Sequence, residues 1–297
     1  MSAIVPSREQ RRAHRETAGT VTSPGGRVGK ILVNAAAVGS LVFLFLPIFV
    51  IVVFSFNEPS GKFNAIWEGF TLNNWAHPFA DSGLVDALVL SLEIALLASA
   101  IATVLGTFMA IAVVRYRFKG GSGVSFLVVL PLTAPEIVLG ASLLTLFLEP
   151  HLVTANQQIT LGFPAILIAH VMFCVSYVAM TVRARLRGFE WALEDAAMDL
   201  GATPTRTFFK VTLPLIIPGI LAAFLLSFAL SIDDFIITYF VSGPSTTTFP
   251  VRIFGQSRVA TPPQINVLAS MILFGSIAVM ALGSWLGNRR QRRLGAT

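Results

Sequence analysis

Six long apolar runs separated by polar connections dominate the chain, at about 31–56, 85–114, 123–148, 161–182, 213–241 and 265–287. Each reaches the roughly 20 residues that a helix needs to cross a hydrocarbon core about 30 Å thick. Backbone groups in lipid must be satisfied within their own segment, which leaves helices or closed barrels. No run alternates apolar and polar residues with the period of a barrel strand, so the pattern predicts an all-α polytopic membrane protein with six transmembrane helices. Between the fourth and fifth runs lies a connection too long for a turn, and its stretch "EWALEDAAMDLGATPTRTFFKVTLP" predicts helix, turn, helix. Apolar residues recur at Ala192, Leu193, Ala196, Ala197 and Leu200. Gly201 supplies a stop, and Thr203 followed by Pro204 has the form of an N-cap with proline in the first turn. A second short helix, with Phe208, Phe209 and Val211 on one face, is expected to end at Pro214.

Composition strengthens this picture. The 297 residues are 55% hydrophobic and only 12% charged, whereas a soluble domain carries about 25% charged residues. A soluble fold of this length has no core large enough to hide six such runs. The net charge of +6 would suggest nucleic acid in a soluble protein, but here the basic residues lie between apolar runs and describe membrane topology. Eighteen Lys and Arg fall in the two ends and in the 2–3 and 4–5 connections, against three (Lys62, Arg252 and Arg258) in the others. Both termini are therefore expected in the cytoplasm. Residues 1–30 are expected to be a disordered basic cytoplasmic tail, and 289–297 a second basic tail. The first run is 26 residues long, too long for the core of a cleaved signal. In the outward 1–2 connection, Trp67, Phe70 and Trp75 suit either an interfacial aromatic belt or a docking surface for an external partner. The single cysteine, Cys174, lies within an apolar run and is expected to be a small packed side chain.

A short amphipathic helix on the cytoplasmic side can lie in the lipid interface or enter a groove on a partner. The small residues Ala196, Ala197 and Gly201 allow close backbone approach, which favours a protein partner. The same stretch resembles the cytoplasmic signature of binding-protein-dependent ABC importer permeases: E-A-A, three residues, G, nine residues, I-x-L-P. Here it reads Asp195-Ala196-Ala197, Gly201 and Val211-Thr212-Leu213-Pro214, with Asp for Glu and Val for Ile. Glu194 stands beside Asp195 and offers the same charge, so either acid fits the role. The resemblance implies a type I, MetI-like permease fold with cytoplasmic coupling helices at 188–211 that dock into a separate ATPase subunit. Its coupling residues would be Glu194, Asp195, Ala196, Ala197, Gly201, Leu213 and Pro214. No G-x-x-x-x-G-K-S/T phosphate loop is present, so the chain is expected to hold no cofactor and not to be an enzyme by itself. ATP and Mg²⁺ would then belong to the ATPase partners.

The C-terminal third, "LSIDDFIITYFVSGPSTTTFPVRIFGQSR" with "TPPQINVLAS", resembles the C-type (PotC-like) permeases of spermidine/putrescine importers, as does "PLTAPEIVLGASLLTLF" in the third run. That resemblance implies two ATPase subunits, a second homologous permease, an extracytoplasmic polyamine-binding protein and a bacterial inner-membrane location. It leaves room for another substrate of the same fold, such as a different organic cation, thiamine, an opine or a phosphonate. A stand-alone secondary transporter would have no use for the coupling signature. Polyamines carry two or more ammonium charges and need carboxylates and aromatic faces along their path. Candidates are Glu93, Glu136, Asp233, Asp234 and Tyr239. Each buried acid costs about 2.5–3.5 kcal/mol at mid-helix and calls for a reason. Glu93 near the outer end of its run fits simple hydration or pairing with another subunit. Glu136 follows Pro131 and Pro135 and fits a role in bonding backbone freed by a helix break. Aligned on Phe235, Asp234 occupies a position where many permeases of this fold keep an acid, which suits a cap at a break in the fifth run. Asp233 is the additional charge and the better candidate for specificity. His170 is expected to be a hydrogen-bonded packing residue, and no metal-ligand or nucleophile–base spacing is present.

Overall fold

The computed structural model describes residues 26–116, 119–149 and 159–294. Most of the expected basic N-terminal tail, Arg117 and residues 295–297 lie outside the described residues. The helices are α1 (Gly26–Phe54), α2 (Asn73–Ala76), α3 (Ser82–Arg115), α4 (Gly121–Thr133), α5 (Glu136–Leu148) and α6 (Phe163–Arg187). They continue as α7 (Ala192–Asp199), α8 (Pro204–Thr207), a π-helical turn at Phe208–Thr212, α9 (Leu213–Asp233), α10 (Ile236–Val241), α11 (Phe249–Gln256) and α12 (Pro263–Leu294). Among the described residues no strand forms, only the isolated bridges Asn57–Phe70 and Phe63–Thr261.

The core is the packing of α3, α6 and α9. On α3 the buried residues are mostly small: Ser91, Ala95, Ala98, Ser99, Ala102, Thr103, Gly106, Thr107 and Ala110 recur at helical spacing. Such a stripe lets backbones approach closely in lipid, where packing rather than water exclusion drives association. At Gly106 the approach is tightest, because a Cβ there would sit 2.7 Å from the Val178 side chain on α6. Cys174 is buried in the same core, its thiol 3.6 Å from the Ser227 carbonyl on α9. By contrast α1 packs against α12 and leaves its apolar side chains exposed, Phe43 by 80%. An apolar surface of that extent requires lipid or another chain around it.

Several expected boundaries are corrected. The third run is not one straight span: α4 and α5 meet at a bend of 110°. Pro135 has no N–H to donate and pushes Ala134 out of the helical region, to φ −75°, ψ 137°. Each half has 13 residues, about 20 Å of helix, too short to cross alone. The fifth run breaks as well, between Asp233 and Ile236, where Asp234 is extended. The second cytoplasmic helix does not stop at Pro214 but continues as one 30-residue helical stretch, Pro204–Asp233. In the π turn at Phe208–Thr212 the Leu213 amide bonds back to the Phe208 carbonyl, one residue before Pro214, which has no N–H to donate. Of the residues expected on one face, Phe208 and Val211 are half-buried and Phe209 is 60% exposed, with the Phe208 and Phe209 rings edge-on at 5.2 Å. Helix α1 begins at Gly26 rather than 31, and α12 continues to Leu294 through much of the expected second tail. Hydropathy marks where lipid contact ends, not where the backbone ladder ends. Among the described residues, four helices are long and apolar enough to cross a membrane, or five if the bent pair counts as one, and Pro263–Ala278 is a further, shorter apolar stretch.

The 1–2 connection folds onto the 5–6 connection. Asn57 donates to Asn64 Oδ1 and to the Ile66 carbonyl, both at 2.7 Å, while its own Oδ1 accepts from the amides of Glu68 and Gly69. Thr261 donates its amide to the Lys62 carbonyl at 2.9 Å. Trp75 stacks on Phe56 and donates its indole N–H to Ser55 Oγ, and Phe70 stacks on the same Phe56 ring. Trp67 meets Phe54 edge-on. All three expected aromatic anchors thus pack within the loop while keeping an outer face.

Candidate functional site

Two constellations stand out, one at each break in the regular helices. The first surrounds α7. Its C-terminus forms as the sequence dictates: Gly201 takes φ +86°, and the amides of Gly201 and Ala202 bond back to the Met198 and Ala197 carbonyls. The Thr203 hydroxyl then accepts from the Arg206 amide and caps α8, with Pro204 in the first turn. The two neighbouring acids diverge. Glu194 is 3% exposed, and its carboxylate forms a bidentate pair with Arg115, Nη2 to Oε2 at 2.8 Å and Nη1 to Oε1 at 3.1 Å. The Thr212 hydroxyl donates a further hydrogen bond to Oε1. Asp195 is exposed and faces outward with Ala196, Leu193, Met198 and the 90%-exposed Leu200. Ala197 and Leu213 are half-buried, and Gly201 and Pro214 are exposed. The α7 surface is thus a small-residue and apolar face carrying the exposed acids Asp195 and Asp199, open to a partner. Arg115 and Thr212 were not legible as site residues, because Arg115 lies 79 positions from Glu194.

The second constellation sits where α9 breaks. Asp234 caps α10: its Oδ2 accepts from the Thr238 amide at 2.8 Å and the Thr238 hydroxyl at 2.7 Å, and its Oδ1 lies 3.4 Å from the Ile237 amide. His170 on α6 completes the group, with Nε2 3.3 Å from Asp234 Oδ2 and 2.9 Å from Thr238 Oγ1, and Nδ1 2.7 Å from Ser231 Oγ. The Thr238 proton is committed to the carboxylate, which only accepts, so His170 must donate from Nε2. In the neutral ring Nδ1 then accepts from Ser231. Every polar atom of this buried group is paired, as a low-dielectric site demands. Asp234 is consumed in holding the break together.

Asp233 is exposed. So are Glu136, at the first position of α5, where the helix dipole favours an acid, and Glu93 on α3. Among the described residues no hydrogen bond or ion pair joins these three acids. The two broken spans do meet, since a Cβ at Gly140 on α5 would lie 2.6 Å from the Phe240 ring on α10. Tyr239 is 55% exposed and belongs to an aromatic cluster with Phe235 and Phe254, whose rings lie 4.7 Å apart. Arg258 sits over Phe254 at 4.7 Å. Tyr239, Phe254 and Arg258 border an open cavity of about 510 Å³ that Thr247 and Arg252 also line. The partners of Tyr239 on α11 escaped the sequence reading, since they lie beyond a loop that no local pattern places.

An apolar helical chain with broken spans meeting beside exposed acids, and a short outward-facing helix tied to two long ones, fits a membrane transport subunit. The chain belongs to the family described as binding-protein-dependent transport system inner membrane component, whose model matches residues 102–294. It is 41% identical over 245 residues to the putrescine transport system permease protein PotI of Escherichia coli strain K12, covering 82% of this chain and 85% of that one. It is 38% identical to the spermidine/putrescine transport system permease protein PotC of Haemophilus influenzae, over 81% of this chain and 90% of that one. Among solved structures, a bacterial ABC transporter involved in import of the acidic polysaccharide alginate matches with TM-score 0.66 at 16% identity, covering 96% of this chain and 99% of that one. An inward-facing MetNI methionine ABC transporter matches with TM-score 0.53 at 16% identity, covering 69% and 93%. At those identities the structures speak for a shared permease fold alone.

Proposed function

We propose that the chain is one permease subunit of a bacterial ABC importer that moves polyamines such as putrescine or spermidine into the cytoplasm. The observation that carries this reading is the 36–41% identity, over four-fifths or more of the chain, to permeases named for those substrates. The exposure of Asp233 beside a break in the fifth run supports it chemically, since an ionisable group in a span normally faces a cavity or a partner. In this reading six spans cross the inner membrane with both termini in the cytoplasm. A second, homologous permease supplies the other half of the pathway, and an extracytoplasmic polyamine-binding protein delivers the substrate. Two ATPase subunits bind ATP and Mg²⁺ and act on α7 through Asp195, Ala196, Ala197 and Gly201, with Leu213 and Pro214 leading into the fifth span. Alternation of access would follow from their closure.

The test is a complex reconstituted in proteoliposomes with the binding protein, both permeases and the ATPase. Putrescine- or spermidine-loaded binding protein should stimulate ATP hydrolysis and uptake, whereas thiamine, an opine or a phosphonate should not. Stimulation by one of those alone would overturn the substrate, and uptake without the ATPase would overturn the ABC mechanism.

A further inference from the structure

Glu194 stands in a signature otherwise devoted to contacting a partner, yet its carboxylate is turned away from the surface. Its two oxygens are taken by Arg115 at the end of α3 and by Thr212 in the π turn that opens α9. Arg115 also lies 5.7 Å from the Trp191 ring at the start of α7, and Trp191 packs edge-on against Phe189 at 4.8 Å. Three elements separated in sequence therefore converge on one carboxylate.

The charges suit their places. Arg115 lies in the last turn of α3, whose C-terminal dipole favours a cation, and Glu194 lies in the first turn of α7, whose N-terminus favours an anion. A bidentate pair fixes orientation as well as distance, which a single contact does not. The π turn beside it is a departure from α-helical geometry of the kind that accommodates local change.

We propose that Glu194 is a positioning residue: with Arg115 and Thr212 it ties the coupling helix to the second and fifth spans, so that a displacement of α7 moves both together. This rests on the importer reading above. Of the two neighbouring acids, Asp195 is the one left to meet the ATPase. Loss of the tie should leave α7 docked and the ATPase running while its motion is passed poorly to the spans.

The reconstituted complex reads this as substrate transported per ATP hydrolysed, alongside co-purification of the ATPase subunit. Glu194→Ala and Arg115→Met are expected to keep co-purification and basal hydrolysis and to lower the transport ratio by roughly 3- to 30-fold. The swapped pair Arg115→Glu with Glu194→Arg should recover part of that loss, which a fold defect would not. Should either single variant fail to insert, Arg115→Lys serves instead, since it keeps the charge and loses the bidentate geometry, and its ratio should also fall. An unchanged ratio in the variants, or loss of ATPase co-purification by Glu194→Ala comparable to that of Asp195→Asn, would overturn the tie while leaving the importer reading intact. A wild-type complex without ATP-driven uptake would overturn that reading, and the tie's role with it.

Discussion

His170 Nε2 lies 3.3 Å from Asp234 Oδ2, joining α6 to the point where the fifth run loses its helical backbone. The carboxylate replaces hydrogen bonds that the break removes by accepting from the Thr238 amide and hydroxyl, and the imidazole beside it is held in turn by the Ser231 hydroxyl. Asp234→Ala should therefore cost about 1–3 kcal/mol, the penalty for a lost cap and stranded buried donors. Thermal unfolding in detergent should show a clear drop for this variant and for His170→Ala.

Asp233 carries no comparable duty, so Asp233→Asn should leave thermal stability unchanged. Uptake of a polyamine should fall by roughly tenfold, the effect of removing one charge-assisted contact of about 1.4 kcal/mol. Basal ATP hydrolysis of the complex should persist. Equal loss of uptake and basal hydrolysis would mark Asp233 as structural.

Gly106 has no room for a side chain, because its Cβ would approach Val178 to 2.7 Å and the Val175 carbonyl to 2.9 Å. Gly106→Ala should destabilise the α3–α6 contact by about 1–3 kcal/mol through overpacking. Adding Val178→Ala should relieve the side-chain part of the clash and leave the backbone part. Melting of the two variants and the double variant measures the division.

In the 1–2 connection, hydrogen bonds from Ser60 hold the exposed Glu68 carboxyl below its ordinary value, and the Ser60 amide is 2.7 Å from Oε2. A depressed folded-state value means the bond supports the loop above the ordinary glutamate range and is lost as pH falls through the lowered value. Protection factors of the amides in residues 58–69, with the intrinsic pH dependence of exchange divided out, should fall on acidification, and Glu68→Gln should remove that fall. The rest of the chain should be indifferent.

Much of the fold is legible along the chain because its causes are local. Runs of lipid-compatible residues define α1, α3, α6 and α9, since a helix satisfies its own backbone wherever it sits. Gly201 ends α7 and Thr203 with Pro204 starts α8 because stop and cap need only their immediate neighbours. The 110° bend between α4 and α5 is less legible: Pro131 and Pro135 both interrupt the ladder, but only the packing of α5 against α10 decides how far the halves turn.

The roles of neighbouring acids belong to the tertiary structure. The resemblance, aligned on Phe235, separates Asp233 from Asp234, but it leaves Glu194 and Asp195 interchangeable, and it supplies the partners of neither pair. In each pair one acid is buried because a distant element supplies its counterpart: His170, whose other partners Ser231 and Thr238 lie 61 and 68 positions away, and Arg115, 79 positions from Glu194. The sequence by itself determined which segments are helical and apolar and where charge is concentrated, because those follow from spacing and solvation. Only the tertiary structure decided which carboxylate holds the protein together and which stays available, because burying a charge is tolerable only where folding brings its partners within hydrogen-bond reach.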